Sequence, residues 1–146
     1  MINFILTLPI FLFAWVTVFL LHELCHLIEA YRQNKQGGKI NVFIRNGIPT
    51  FTASPKGKLK NVKSFNLAGG LYSGIISLLI GLIAVYYHAI PFYISFITLG
   101  VLNIIYSIYE WRFLGEISLE QYYRYHYLVY GIVLVIMAFI WRLLGV

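Results

Sequence analysis

The chain has 146 residues, 60% of them hydrophobic and 11% charged, with a mean hydropathy of +0.80, a combination that a water-soluble domain with an ordinary polar surface does not carry. One cysteine excludes a disulfide scaffold and a multi-cysteine zinc module, and the absence of Asp leaves Glu23, Glu29, Glu110, Glu116 and Glu120 as the only acidic residues. The net charge of +6 comes from basic residues clustered between apolar runs, which fits an anionic membrane surface and argues against nucleic acid as a partner.

No charged side chain precedes Glu23, so the first apolar run satisfies the about 20 residues a bilayer core requires and predicts a helix over about 3–30. It has neither a basic leader nor a small-residue cleavage site before His22, which predicts a retained anchor, and Pro9 predicts at most a local bend. Next, Ile40 to Ile44 and Ile48 to Thr52 flank Asn46-Gly47, the preferred pair for a two-residue turn. This predicts a β-hairpin over about 40–53, with Pro49 marking an edge position. Ser54-Pro55-Lys56-Gly57-Lys58 then reads as a turn leading into a basic stretch at the membrane surface.

Between Lys63 and Glu110 there is no formal charge, and His88-Ala89-Ile90-Pro91 divides the run into helices over about 65–87 and 91–111. A fourth helix is expected over about 124–143. The expected fold is therefore an all-α polytopic membrane protein of about four transmembrane helices with a small β-hairpin after the first, forming a single domain over 1–146. Eight of the eleven Lys and Arg lie between the first and second helices, so the positive-inside rule places 31–64 in the cytoplasm and both termini outside. Tyr86, Tyr87, Trp111, Tyr122, Tyr123 and Trp141 lie near the expected helix ends, where interfacial anchoring suits them.

Toward the cytoplasmic end of the first helix stands His22-Glu23-Leu24-Cys25-His26, an H-E-x-x-H motif. Helical i, i+4 spacing puts both imidazoles on one face, where they can grip one zinc ion, and Glu23 is placed to act as general base on a water at the metal. The chemistry this pattern points to is metal-assisted amide hydrolysis. Ionisable side chains inside an apolar helix are costly, about 2–3 kcal/mol each near the bilayer centre, and are functional by default. A catalytic zinc site takes three protein ligands, and Glu110 is the expected third, being at the same side of the membrane as the two histidines. Asn103, Ser107 and Glu110 recur at i, i+4 and i+7 and form a polar stripe that should face protein.

The other candidates are weaker. Glu29 would crowd the turn of His26 and is expected at a surface or loop contact. His88 belongs to the opposite membrane face, His126 beside Arg124 and Tyr125 reads as interfacial, and Glu116 and Glu120 fall in a loop. Cys25 points about 100° away from His26 and reads as a packed small side chain. Gly70-x-x-x-Gly74 and Ser73-x-x-x-Ser77-x-x-x-Gly81 predict close helix packing along the second helix. Asn66 is a candidate substrate or backbone contact at the entrance.

With these features the chain resembles the site-2 protease family (M50-like) of intramembrane zinc metalloproteases in a minimal form. The resemblance rests on His22-Glu23-Leu24-Cys25-His26, on Asn66-Leu67-Ala68-Gly69-Gly70 opening a glycine-rich helix, and on Asn103 followed seven residues later by Glu110; the 40–53 hairpin looks like the membrane-associated β-element of such enzymes. It implies His22, His26 and Glu110 as zinc ligands, Glu23 as catalytic base, and a transmembrane protein as substrate, cleaved within or near the bilayer. Where the family commonly uses an Asp ligand, this chain offers Glu110. The hairpin edge, with Thr50 and Thr52, and the polar Asn66 and Asn103 are the expected substrate-binding elements, the hairpin acting by strand addition. No residues are expected to be left for a PDZ, CBS or other regulatory domain, so substrate recognition is expected through a partner subunit, a homo-oligomer or simply helix instability. The alternative is a non-proteolytic metal-binding membrane protein: a transporter, a sensor, or an inactive relative that binds clients.

Overall fold

A computed structural model describes residues 4–45, 48–113 and scattered positions between 128 and 143. Its elements follow in the order α1 (Phe4–Asn34), β1 (Gly38–Arg45), β2 (Ile48–Pro55), α2 (Val62–Tyr86) and α3 (Ile90–Phe113). Three helical segments, Leu8–Asn34, Val62–Tyr86 and Ile90–Phe113, are long and apolar enough to cross a membrane, which marks an integral membrane protein. Of the expected fourth helix only scattered residues are described, among them Val133, buried against the core with Phe11, Ala14 and Leu99; the rest lies outside the described residues.

The distribution of side chains suits lipid around the helices. Large apolar residues face outward, such as Leu20, Leu24 and Ile28 on α1 and Val101, Ile105 and Ile108 on α3, while Ser73, Ser77, Ser95, Asn103 and Ser107 are buried. Polar groups turned inward and small residues at the contacts are how helices pack when hydrocarbon replaces water outside. A Cβ on Gly74 would lie 2.8 Å from the Gly100 carbonyl oxygen and 2.6 Å from the Ile104 side chain. Glycine therefore lets α2 and α3 approach to backbone contact. Ser77 and Ser95 spend their hydroxyls on the carbonyls of Ser73 and Pro91, each at 2.7 Å.

Local chemistry explains the element ends. α1 stops where Lys35 adopts a left-handed φ of 61° and donates to the Tyr31 carbonyl at 2.8 Å. α2 begins at Asn61, whose side chain accepts from the Ser64 N–H at 2.9 Å as an N-cap. The α2–α3 connection is short and turns at His88, with φ 54°.

The hairpin forms in the expected place and runs two residues further at each end, antiparallel with Val42 opposite Phe51 and Arg45 opposite Ile48. That register leaves a two-residue connection at Asn46-Gly47, whose conformation lies outside the described residues. The Lys56 N–H donates to the Gly37 carbonyl at 2.8 Å, which sets the ladder's parity. Thr50, Thr52 and Ser54 turn their backbone groups toward β1, and Pro49, Phe51, Ala53 and Pro55 turn theirs away. Both prolines thus sit where no ladder donor is required. β2 lies along α1, with the Phe51 ring 5.7 Å from that of Phe19. In the second half of β1, Val42 and Ile44 are 66% and 77% exposed, so the hairpin carries an apolar outer surface.

Candidate metal centre

The face of α1 that packs inward carries Phe11, Ala14 and Val18 and then, a turn at a time, His22, His26 and Glu29. The two histidines converge: their Nε2 atoms are 3.1 Å apart. Glu110 reaches them from α3, its Oε2 lying 3.5 Å from His22 Nε2 and 3.9 Å from His26 Nε2. A tetrahedral ion with bonds of about 2.0–2.1 Å sets its ligand atoms about 3.3–3.4 Å apart, and the three observed separations bracket that value. All three residues are buried, and the group could hold a metal ion.

The surroundings orient these side chains. His26 Nδ1 is 2.6 Å from the Phe65 carbonyl oxygen. A carbonyl only accepts, so Nδ1 carries the proton and Nε2 keeps its lone pair for a metal. The Phe65 ring stacks on His26 with centroids 4.7 Å apart, and a Cβ on Gly69 would overlap the same imidazole. The absence of a side chain at Gly69 thus makes the space in which His26 sits. The Phe19 ring stacks on His22 with centroids 6.4 Å apart.

Glu23 points from α1 to the hairpin, where its Oε2 accepts the Ala53 N–H at 2.5 Å. The motif thus divides between two directions, imidazoles toward α2 and α3 and carboxylate toward β2.

The expected site residues fall as follows. His22, His26 and Glu110 come together, Glu23 is buried with its carboxylate on the Ala53 N–H rather than in that group, and Asn103 is buried on the face of α3 that carries Glu110. Asn66 is buried next to Phe65 at the start of α2; Thr50 is buried on β2 and Thr52 half-buried. The outward backbone groups of β2 are those of Phe51 and Ala53, flanked by the two prolines whose spacing was the available signal. Cys25 is buried, as a packed side chain should be. His88 lies in the α2–α3 connection, and Glu116, Glu120 and His126 lie outside the described residues.

Glu29 differs from expectation. It is only 2% exposed and accepts Arg32 Nε at 2.7 Å, Arg32 Nη2 at 2.9 Å, Gln33 Nε2 at 2.8 Å and the Ser64 hydroxyl at 2.7 Å. Gln33 also donates to the Asn61 carbonyl and accepts from its N–H, at 3.0 and 2.9 Å. This network ties the last turns of α1 to the first turn of α2, one residue before the carbonyl that orients His26. Near the same end, Lys63 Nζ lies 5.9 Å from the Trp111 ring centroid, linking α2 to the end of α3.

No protein-family model matches this chain, and no curated protein or solved structure is detectably similar to it.

Proposed function

We propose that the chain is an intramembrane zinc endopeptidase that hydrolyses peptide bonds of transmembrane protein substrates, with His22, His26 and Glu110 as ligands and Glu23 as general base. The observation that carries this reading is the convergence of two imidazole nitrogens and one carboxylate oxygen within 3.1–3.9 Å of one another, inside helices fit to span a bilayer. Two nitrogens and one oxygen with a further position left for water suit zinc in a catalytic setting. Bound there, zinc supplies Lewis acidity that activates water and polarises a peptide carbonyl.

The chain's own residues supply the rest. The Phe65 carbonyl holds His26 in the tautomer that presents Nε2. Glu23 takes a proton from the attacking water and returns it to the leaving amine. The substrate must present an extended segment, since a helical amide is hydrogen-bonded and shielded, and the β2 edge beside Glu23 offers backbone groups for strand addition. By the positive-inside rule the centre lies toward the cytoplasmic side, His22 being ten residues, or about 15 Å of helix, from Arg32. A second copy or a partner subunit is proposed to help present substrate.

Proteoliposomes carrying the zinc-loaded chain and a panel of single-span peptides with helix-destabilised centres test this reading. Cleavage by the wild type, and none by Glu23→Gln with its metal retained, is the expected result. No cleavage across the panel by a zinc-replete wild type would favour the second reading, a metal-binding transporter, sensor or client-binding protein. The Glu23 contact with Ala53 favours that alternative, because it gives the carboxylate a structural task.

A further inference from the structure

Glu23 and the β2 edge share one donor. The outward face of β2 presents the backbone of Pro49, Phe51, Ala53 and Pro55, and proline has no N–H, so the edge offers two amide donors, those of Phe51 and Ala53. The Ala53 donor is the one bonded to Glu23. An extended peptide laid along this edge pairs with alternate backbone groups, and its register is confined by the proline on either side. Full pairing requires the Ala53 N–H, which the carboxylate holds at rest.

We propose that the Ala53 N–H is an exchangeable latch: it restrains Glu23 when no peptide is present and passes to a carbonyl of the docked peptide, so that substrate pairing and release of the base are a single event. This inference rests on the endopeptidase reading and adds to it a resting state in which the base is held away from work. Peptide backbone is the occupant the edge favours, because its two donors, at Phe51 and Ala53, stand two residues apart, matching the two-residue repeat of carbonyls on one side of a strand. The restrained base would also suppress hydrolysis of chance carbonyls that reach the centre without pairing.

The test compares two probes on the full, zinc-loaded chain in detergent: acetohydroxamate, which reaches the metal alone, and an alanine tripeptide hydroxamate, which also offers a strand. The measured quantity is the peptide's affinity advantage over the small probe. Ala53→Pro is expected to reduce that advantage about tenfold, the loss of one hydrogen bond, and Glu23→Ala to increase it severalfold by removing the competitor. A series of the peptide N-methylated at one nitrogen at a time, on the wild-type chain, is expected to lose affinity at alternate nitrogens only, and it stands whether or not Ala53→Pro folds. An unchanged advantage in Ala53→Pro or Glu23→Ala, or equal losses at every nitrogen, would overturn the latch and leave the metal centre standing. Failure of acetohydroxamate to bind the zinc-loaded wild type would remove the endopeptidase reading, and the latch with it.

Discussion

His26 and Phe65, 39 positions apart in sequence, meet through a 2.6 Å hydrogen bond from the imidazole Nδ1 to the backbone carbonyl. The bond joins α1 to α2 and decides which nitrogen of His26 faces His22 and Glu110. Ligands held this way by outer partners owe much of their metal affinity to them, commonly about 10–100-fold.

Gly69→Ala should therefore lower metal affinity by about tenfold or more, because its Cβ would overlap the His26 imidazole. Chelator competition on the purified variant measures the loss, with helical circular dichroism as the control for folding. Wild-type affinity in this variant would mean that His26 does not need the space Gly69 provides.

The seam between α2 and α3 makes a different prediction. Gly74→Val introduces atoms against the Gly100 carbonyl and Ile104, and overpacking of this kind costs about 1–3 kcal/mol. Denaturant titration in mixed micelles should show that loss. The same substitution at Tyr72, which is exposed on α2, should change stability far less.

Glu29 ties the end of α1 to the start of α2. Glu29→Ala removes the acceptor for Arg32, Gln33 and Ser64, and hydrogen bonds to a charged group contribute about 1.5–3 kcal/mol each when intact. A fall in thermal stability is expected, accompanied by weaker metal binding, since the network fixes the turn that precedes the Phe65 carbonyl. If metal affinity were unchanged while stability fell, the network would serve the helix ends alone.

Metal removal should also be visible in stability. A ligand at 100 times its Kd stabilises the folded state by about 2.7 kcal/mol, so chelation should lower the unfolding temperature of the wild type and leave that of His22→Ala unmoved. Equal shifts in both would place the bound metal elsewhere.

Much of this arrangement was legible in the sequence because its signals are side-chain signals. The uncharged stretch from Ser64 to Tyr109 announced two helices, Asn46-Gly47 announced the hairpin, and the i, i+4 histidines announced the centre. Glu110 was legible as the third member of the buried group from its position on the polar stripe with Asn103 and Ser107. Although Glu110 stands only two residues from Arg112, the packing of α3 against α1 brings its carboxylate to 3.5 Å from His22 and 3.9 Å from His26. What could not be read were contacts made by backbone: the Phe65 carbonyl on His26 and the Ala53 N–H on Glu23. Any residue type carries those groups, so composition is silent about them. Glu29 was misplaced for a related reason, because its burial depends on the start of α2, 35 residues downstream at Ser64.

The most direct measurement is the zinc content of the detergent-purified wild type beside Glu23→Gln, His22→Ala and Glu110→Ala. One zinc per chain is expected in the wild type and in Glu23→Gln, with loss in His22→Ala and Glu110→Ala. Zinc retained in Glu110→Ala, or none bound by the wild type when zinc is supplied, would contradict a centre built from His22, His26 and Glu110.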